Sequence, residues 1–315
     1  MNLTQRLCHP DASCLPQEPL APYAHFGLGG PAEYLVIPRS PAAAIHTAKV
    51  CLEAGRPLYV LGQLSNVLIS DEGLPGVTML MTQAVGQVKV DGLTVTADAG
   101  IWLSRLAAVA AAHGLSGLEF ACGIPGTLGG SILINAGAYD HQFSDIVLET
   151  TYLAEDGSIR TRCGDEHRFG YRTSFFETNG GLILQSRFGL ARTTHDIYGR
   201  MAELARKRRD SQPLAARSCG SAFKRPPGHF AGKLIADAGL KGYEKNGAGV
   251  SDKHAGFIVN RAATRASDVA DVFNYVQEIV FAASGIRLEP EVRFGGRFDR
   301  LPLHAHTLKP IFGGE

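Results

Sequence analysis

The 315-residue chain has no cysteine pair at metal-ligand spacing, no apolar run long enough to cross a bilayer and almost no net charge. Its six cysteines, Cys8, Cys14, Cys51, Cys122, Cys163 and Cys219, are scattered without a CxxC. That argues against a zinc site and a disulfide framework, and for a reducing cytosol. No window approaches the roughly 20 apolar residues a membrane span requires. The opening MNLTQRLCHPDASCLPQEPL lacks the apolar centre of a signal peptide. A formal charge of +1 leaves no nucleic-acid surface built on bulk charge, though a local basic pocket remains open. A soluble cytoplasmic protein is expected, with neither a nucleic-acid nor a membrane partner. The length allows two or three domains.

Residues 1–20 read as a polar, mobile lead-in, followed by a glycine turn and a short apolar strand in HFGLGGPAEYLVIP, 25–38. PAAAIHTAKVCLEAG predicts a helix over 41–55 that stops at Gly55, and Leu58–Leu61 a buried strand. VKVDGLTVTAD predicts a hairpin about Asp91-Gly92. In IWLSRLAAVAAAHG, Leu103, Leu106, Ala107 and Ala110 share one helical face. Residues 123–139 read as a glycine-dense loop, and further strands reach about residue 191. A helix is expected within 196–217, and its Arg206–Arg209 run reads as a solvated face. Another helix carries Ala231, Leu234, Ile235 and Ala238 on one face and closes at Gly239. A terminal strand is expected over 285–294.

Gly123, Gly126, Gly129, Gly130 and Gly137, stiffened by Pro125, suit a backbone that approaches a ligand closely and points N–H groups at it; a pyrophosphate is the natural guest. Tight turns in a β-rich domain explain them as well. GQLSN, 62–66, is a second polar turn after a buried strand, and a plain Asx turn also accounts for it. Arg172 offers a planar cation beside Tyr171 and Phe175. Glu291, followed by Val292 and Phe294, alternates onto the face opposite Val292; a salt bridge is the simplest alternative. Cys122 and Cys219 have no evident activating partner. In SCGSAFKRPPG, 218–228, prolines fix a loop that carries one serine and two adjacent cations.

In register, GGPAEYLV (29–36), GQLSNVLISD (62–71), GLEFACGIPGTLGGSILINAGAY (117–139), YRTSFF (171–176), QPLAARSCGSAFKRPPGHFAGKLIADAGLKG (212–242), VSDKHAGFIVN (250–260) and GIRLEPEVRFGG (285–296) resemble the UDP-N-acetylenolpyruvoylglucosamine reductase family. The short stretch between YRTSFF and QPLAARS matches its shorter class, which lacks an extra tyrosine-bearing loop. The resemblance implies an α+β chain: a two-subdomain FAD-binding fold of the vanillyl-alcohol-oxidase (PCMH-like) type, with a separate α+β substrate-binding domain. The expected spans are 1–85, joined by a C-terminal strand over 286–315, then 86–195 and 196–285.

It also implies the chemistry. NADPH gives a hydride to non-covalently held FAD; UDP-N-acetylglucosamine enolpyruvate then takes hydride from flavin N5 at C3 and a proton from Ser221 at C2, giving UDP-N-acetylmuramate. Arg172 and Glu291 would hold and polarise the enolpyruvyl carboxylate, with the Glu291 pKa raised. FAD would contact Gly62, Gln63, Leu64, Ser65, Asn66, Gly123, Ile124, Pro125, Gly126, Gly129, Gly130, Asn135, Gly137 and Ala138. Substrate would contact Tyr171, Lys224, Arg225, Gly232 and Lys233. No metal is implied, and a monomer is expected. Departures are Leu64, where the family usually has glycine and where a side chain implies either positive-φ strain or a backbone pushed away from the pyrophosphate; His25 and Gly27 ahead of GGPA; and Arg225, where asparagine is frequent. The rivals are another flavin oxidase of the same fold acting on a sugar or hydroxy acid, and a non-catalytic nucleotide-sugar-binding relative.

Overall fold

The computed structural model describes residues 2–82 and 85–313. Met1, Gln83, Ala84, Gly314 and Glu315, within the expected spans 1–85 and 286–315, lie outside the described residues. The helix Pro41–Ala54 starts where the Ser40 hydroxyl accepts from the Ala43 amide, with Pro41 in the first turn. It stops at Gly55, whose φ of +59° sits in the region where a side chain costs most. One face, Ala44, Ala48 and Cys51, is buried.

That helix packs on a four-stranded sheet ordered Ala12–Pro19, Pro31–Pro38, Leu74–Leu80 and Leu58–Leu61. The opening segment is therefore not a mobile lead-in. Ala12–Pro19 pairs antiparallel with Pro31–Pro38, and Leu7 is fully buried in the core beside Ala44 and Ala48. Pro16 and Pro19 hide this strand from a sequence reading; prolines are tolerated because it lies at the sheet edge.

A second, five-stranded antiparallel sheet follows the order Ile159–Cys163, Val147–Leu153, Leu182–Gly189, Thr94–Asp98 and Val88–Asp91. Its hairpin pairs Asp91 with Thr94 across Gly92, at φ +59°. The helix Leu103–Ala112 buries Leu103, Leu106, Ala107 and Ala110. Residues 123–139 are not wholly loop, since Leu128–Leu133 is helical. Gly129 allows this, as a Cβ there would stand 3.1 Å from that of Ala99.

The third unit has a small sheet, Glu244–Lys245, Ala248–Val250 and Ile258–Asn260. The 19-residue helix Ala266–Ser284, which the sequence reading leaves unassigned, covers it. Its buried face, Val269, Val272, Phe273, Val276 and Val280, has helical spacing. Gly285 caps that helix at φ +70°, so the terminal strand is shorter than expected, Arg293–Gly295. This strand pairs in parallel with Val67–Ile69 and returns the chain to the first unit.

Candidate active site

The two glycine-bearing turns meet. The Ser65 hydroxyl donates to the Pro125 carbonyl at 2.8 Å, and a Cβ on Gly62 would fall 2.2 Å from Thr127 Oγ1. They form one wall of a cavity of about 620 Å³. Residues 62–66, 123–126, Gly130, Gly137 and Ala138 line it. Leu64 stands at φ +49° with only 2% of its surface exposed, so the strain its side chain implied is present.

Gly129 and Asn135 do not line this cavity. Gly129 is turned onto Ala99. The Asn135 amide nitrogen donates to Gln142 Oε1, Ser144 Oγ and the Gly170 carbonyl, while its oxygen accepts from the Ser144 amide. A buried amide so fully bonded is committed to the fold.

A second cavity, about 420 Å³, opens on the other side of the 220–225 segment. That segment runs beside residues 289–291: the Lys224 amide donates to the Glu289 carbonyl and the Glu291 amide to that of Ala222. In extended backbone alternate side chains share a side. Ser221, Phe223 and Arg225 accordingly all line the second cavity. Lys224 points away, donating to Glu289 Oε1 at 2.6 Å with its nitrogen 2.8 Å from His306 Nε2. Tyr171, Gly232 and Lys233 line the second cavity, and the Tyr171 hydroxyl accepts from the Arg225 amide.

Arg172, Ser221 and Glu291 border both cavities. Arg172 Nε donates to Glu291 Oε1 at 2.6 Å, with the two side chains 22% and 14% exposed. Burial pushes the Glu291 carboxyl above its ordinary value, and the Arg172 guanidinium holds back part of the rise. Arg293, two residues beyond Glu291 in the chain, pairs with Glu177. Ser221 is exposed at the junction.

Other contributors are not legible as motifs. Lys207 and Arg208, from the run read as a solvated face, line the larger cavity. Helical phase could have exposed them, since the buried Leu204 lies three and four residues before them on the same side. Lys241, Lys253 and His254 line the second cavity. Burial lowers the His254 pKa. Cys219 lines the larger cavity, but burial pushes its thiol up to about 12.

Residues 32–162 match the family model described as an FAD binding domain, and residues 212–295 the one described as UDP-N-acetylenolpyruvoylglucosamine reductase, C-terminal domain. The reductase of that name from Clostridium botulinum (strain Eklund 17B / Type B) is 42% identical over 278 residues, 88% of this chain and 91% of that protein. The one from Limosilactobacillus fermentum is 43% identical over 289 residues, 91% and 96% of the two chains. The crystal structure of the Thermus caldophilus enzyme superposes with a TM-score of 0.77 at 34% identity, covering 90% of this chain and 98% of that one. The fold is the two-subdomain FAD-binding type with an added α+β domain. Sequence, fold and coverage agree end to end: the chain belongs to the UDP-N-acetylenolpyruvoylglucosamine reductase family, oxidoreductases of peptidoglycan synthesis.

Proposed function

We propose that this chain is an NADPH-dependent reductase of UDP-N-acetylglucosamine enolpyruvate, with the flavin in the larger cavity and the nucleotide in the second. The observation that carries this reading is that Arg172, Ser221 and Glu291, far apart in sequence, stand where the two cavities meet.

The larger cavity fits FAD on its own residues. Where a side chain on Gly130 would begin, the nearest heavy atom is Thr127 Oγ1 at 3.8 Å, which leaves room for a ligand against the backbone. Val60, Leu61, Ile124 and Leu133 supply apolar wall, and Lys207 and Arg208 supply positive charge. FAD held by these residues would supply hydride transfer, from NADPH to the enolpyruvyl C3.

The protein's own part is positioning and proton supply. Arg172 uses Nε on Glu291 and Nη2 on the Gly137 carbonyl at 3.4 Å, leaving the rest of its fork for the substrate carboxylate. Glu291, its pKa raised, can hold a proton and donate to that same carboxylate. The Ser221 hydroxyl, bonded by no side chain among the described residues, is free to give its proton to C2. Arg225, Lys233, Lys241 and Lys253 surround the second cavity with a field suited to a diphosphate. Lys224, which the resemblance would place on that diphosphate or on the substrate carboxylate, acts from behind, lowering Glu289 and holding the 220–225 segment.

The test is turnover. Purified protein should be yellow and oxidise NADPH rapidly only when the enolpyruvyl nucleotide is present. Equal NADPH oxidation without it, or rapid reduction of the flavin by a sugar or hydroxy acid, would refute the reading.

A further inference from the structure

We infer that Arg208 grips the diphosphate of the bound flavin dinucleotide; this rests on the FAD reading above. Four side chains with fixed positive charge line the larger cavity: Arg172, Lys207, Arg208 and Arg293. Three have carboxylate partners, Arg172 with Glu291, Arg293 with Glu177 and Lys207 with Glu203. Among the described residues no carboxylate lies within ion-pair distance of Arg208, although it is half-buried. A half-buried guanidinium without a counter-anion is costly unless a ligand supplies one.

Its position says which ligand. The Arg208 side chain lies on the glycine wall: a Cβ on Gly123 would stand 3.0 Å from Nε and 3.3 Å from Cδ. The guanidinium carbon is 5.7 Å from the Tyr139 ring centroid, and the Tyr139 hydroxyl donates to the Leu204 carbonyl one turn earlier in the same helix. Arg208 is thus held beside the turn whose backbone suits a diphosphate, and its planar fork complements phosphate oxygens. It does not line the second cavity, where other cations await the substrate.

The experiment strips the flavin and titrates the apoprotein with FAD, FMN and riboflavin, following flavin fluorescence. Arg208→Ala should weaken FAD binding roughly 10- to 100-fold and leave riboflavin binding as in wild type. Arg208→Lys should recover part of the FAD affinity. Arg206→Ala, on an exposed residue outside the cavity, should match wild type for all three. Equal weakening of FAD and riboflavin by Arg208→Ala would mean a merely structural role, and unchanged FAD affinity would mean none; either overturns the inference. If wild-type apoprotein takes up no FAD, the flavoenzyme reading itself fails.

Discussion

Arg172 occupies the left-handed region, φ +57°, where a non-glycine residue costs about 1–2 kcal/mol. Two amide–carbonyl bonds between Gly170 and Thr173 close the turn beneath it, and the Glu291 pair holds its far end. Such strain persists only where surroundings over-determine it, and here it aims a cation at the cavity junction. Glu291 gives this scale its measurable consequence. A carboxyl whose pKa is raised on folding binds more protons folded than unfolded, so its contribution is most favourable below the ordinary value of 4.5 and is lost as pH rises through the raised value. Glu291→Gln removes that window. Denaturation midpoints measured from pH 4 to pH 8 should show wild type losing ground to Glu291→Gln as pH rises; a difference that stays flat, or grows in favour of wild type, contradicts the raised value.

Among the elements, the turn at 62–66 sets two effects against each other. Leu64 bears backbone strain of about 1–2 kcal/mol. Yet its side chain packs with Leu20, Leu35 and Ile69, and removing a buried leucine costs about 2–5 kcal/mol. Burial wins on these magnitudes. Leu64→Gly should therefore destabilise the protein by about 1–3 kcal/mol despite relieving the strain, as a lower urea midpoint at unchanged slope; a gain in stability would show that strain dominates. Legibility followed the same physics. The helix ending at Gly55 and the Asp91-Gly92 hairpin carry local stop signals and are readable. Ala12–Pro19 is not, because its pairing is long-range and its prolines imitate a loop. Helix Ala266–Ser284 has readable spacing in Val269, Val272, Phe273, Val276 and Val280. For the candidate site, the glycine turns and Arg172, Ser221 and Glu291, which border the cavities, stand out by resemblance more than by pattern. Lys207 and Arg208 are open only to the helical phase set by Leu204 within Ile197–Ser211, because a basic run looks solvated until tertiary packing turns one side of its helix inward.

At the scale of the molecule, a strand near the chain's end, Arg293–Gly295, pairs with Val67–Ile69 beside the 62–66 turn, and the Asn66 amide side chain donates to the Glu291 carbonyl. The third unit is thereby tied to the first at the point where the cavities join. On the proposed reading the flavin is held non-covalently. Cys219, the cavity's buried thiol, stays protonated and is spent on the Leu64 and Val67 carbonyls. Acid or heat denaturation should release all the flavin into the protein-free filtrate; colour retained on the precipitated chain would instead favour a covalent flavin oxidase.

On the proposed reading one junction serves two half-reactions, and Ser221 belongs to the second alone. Stopped-flow absorbance of Ser221→Ala tests it most directly. Flavin bleaching by NADPH should proceed close to the wild-type rate, while reoxidation by the enolpyruvyl nucleotide should slow by about 10²- to 10⁴-fold. Loss of the NADPH step, or reoxidation at the wild-type rate, would contradict the account.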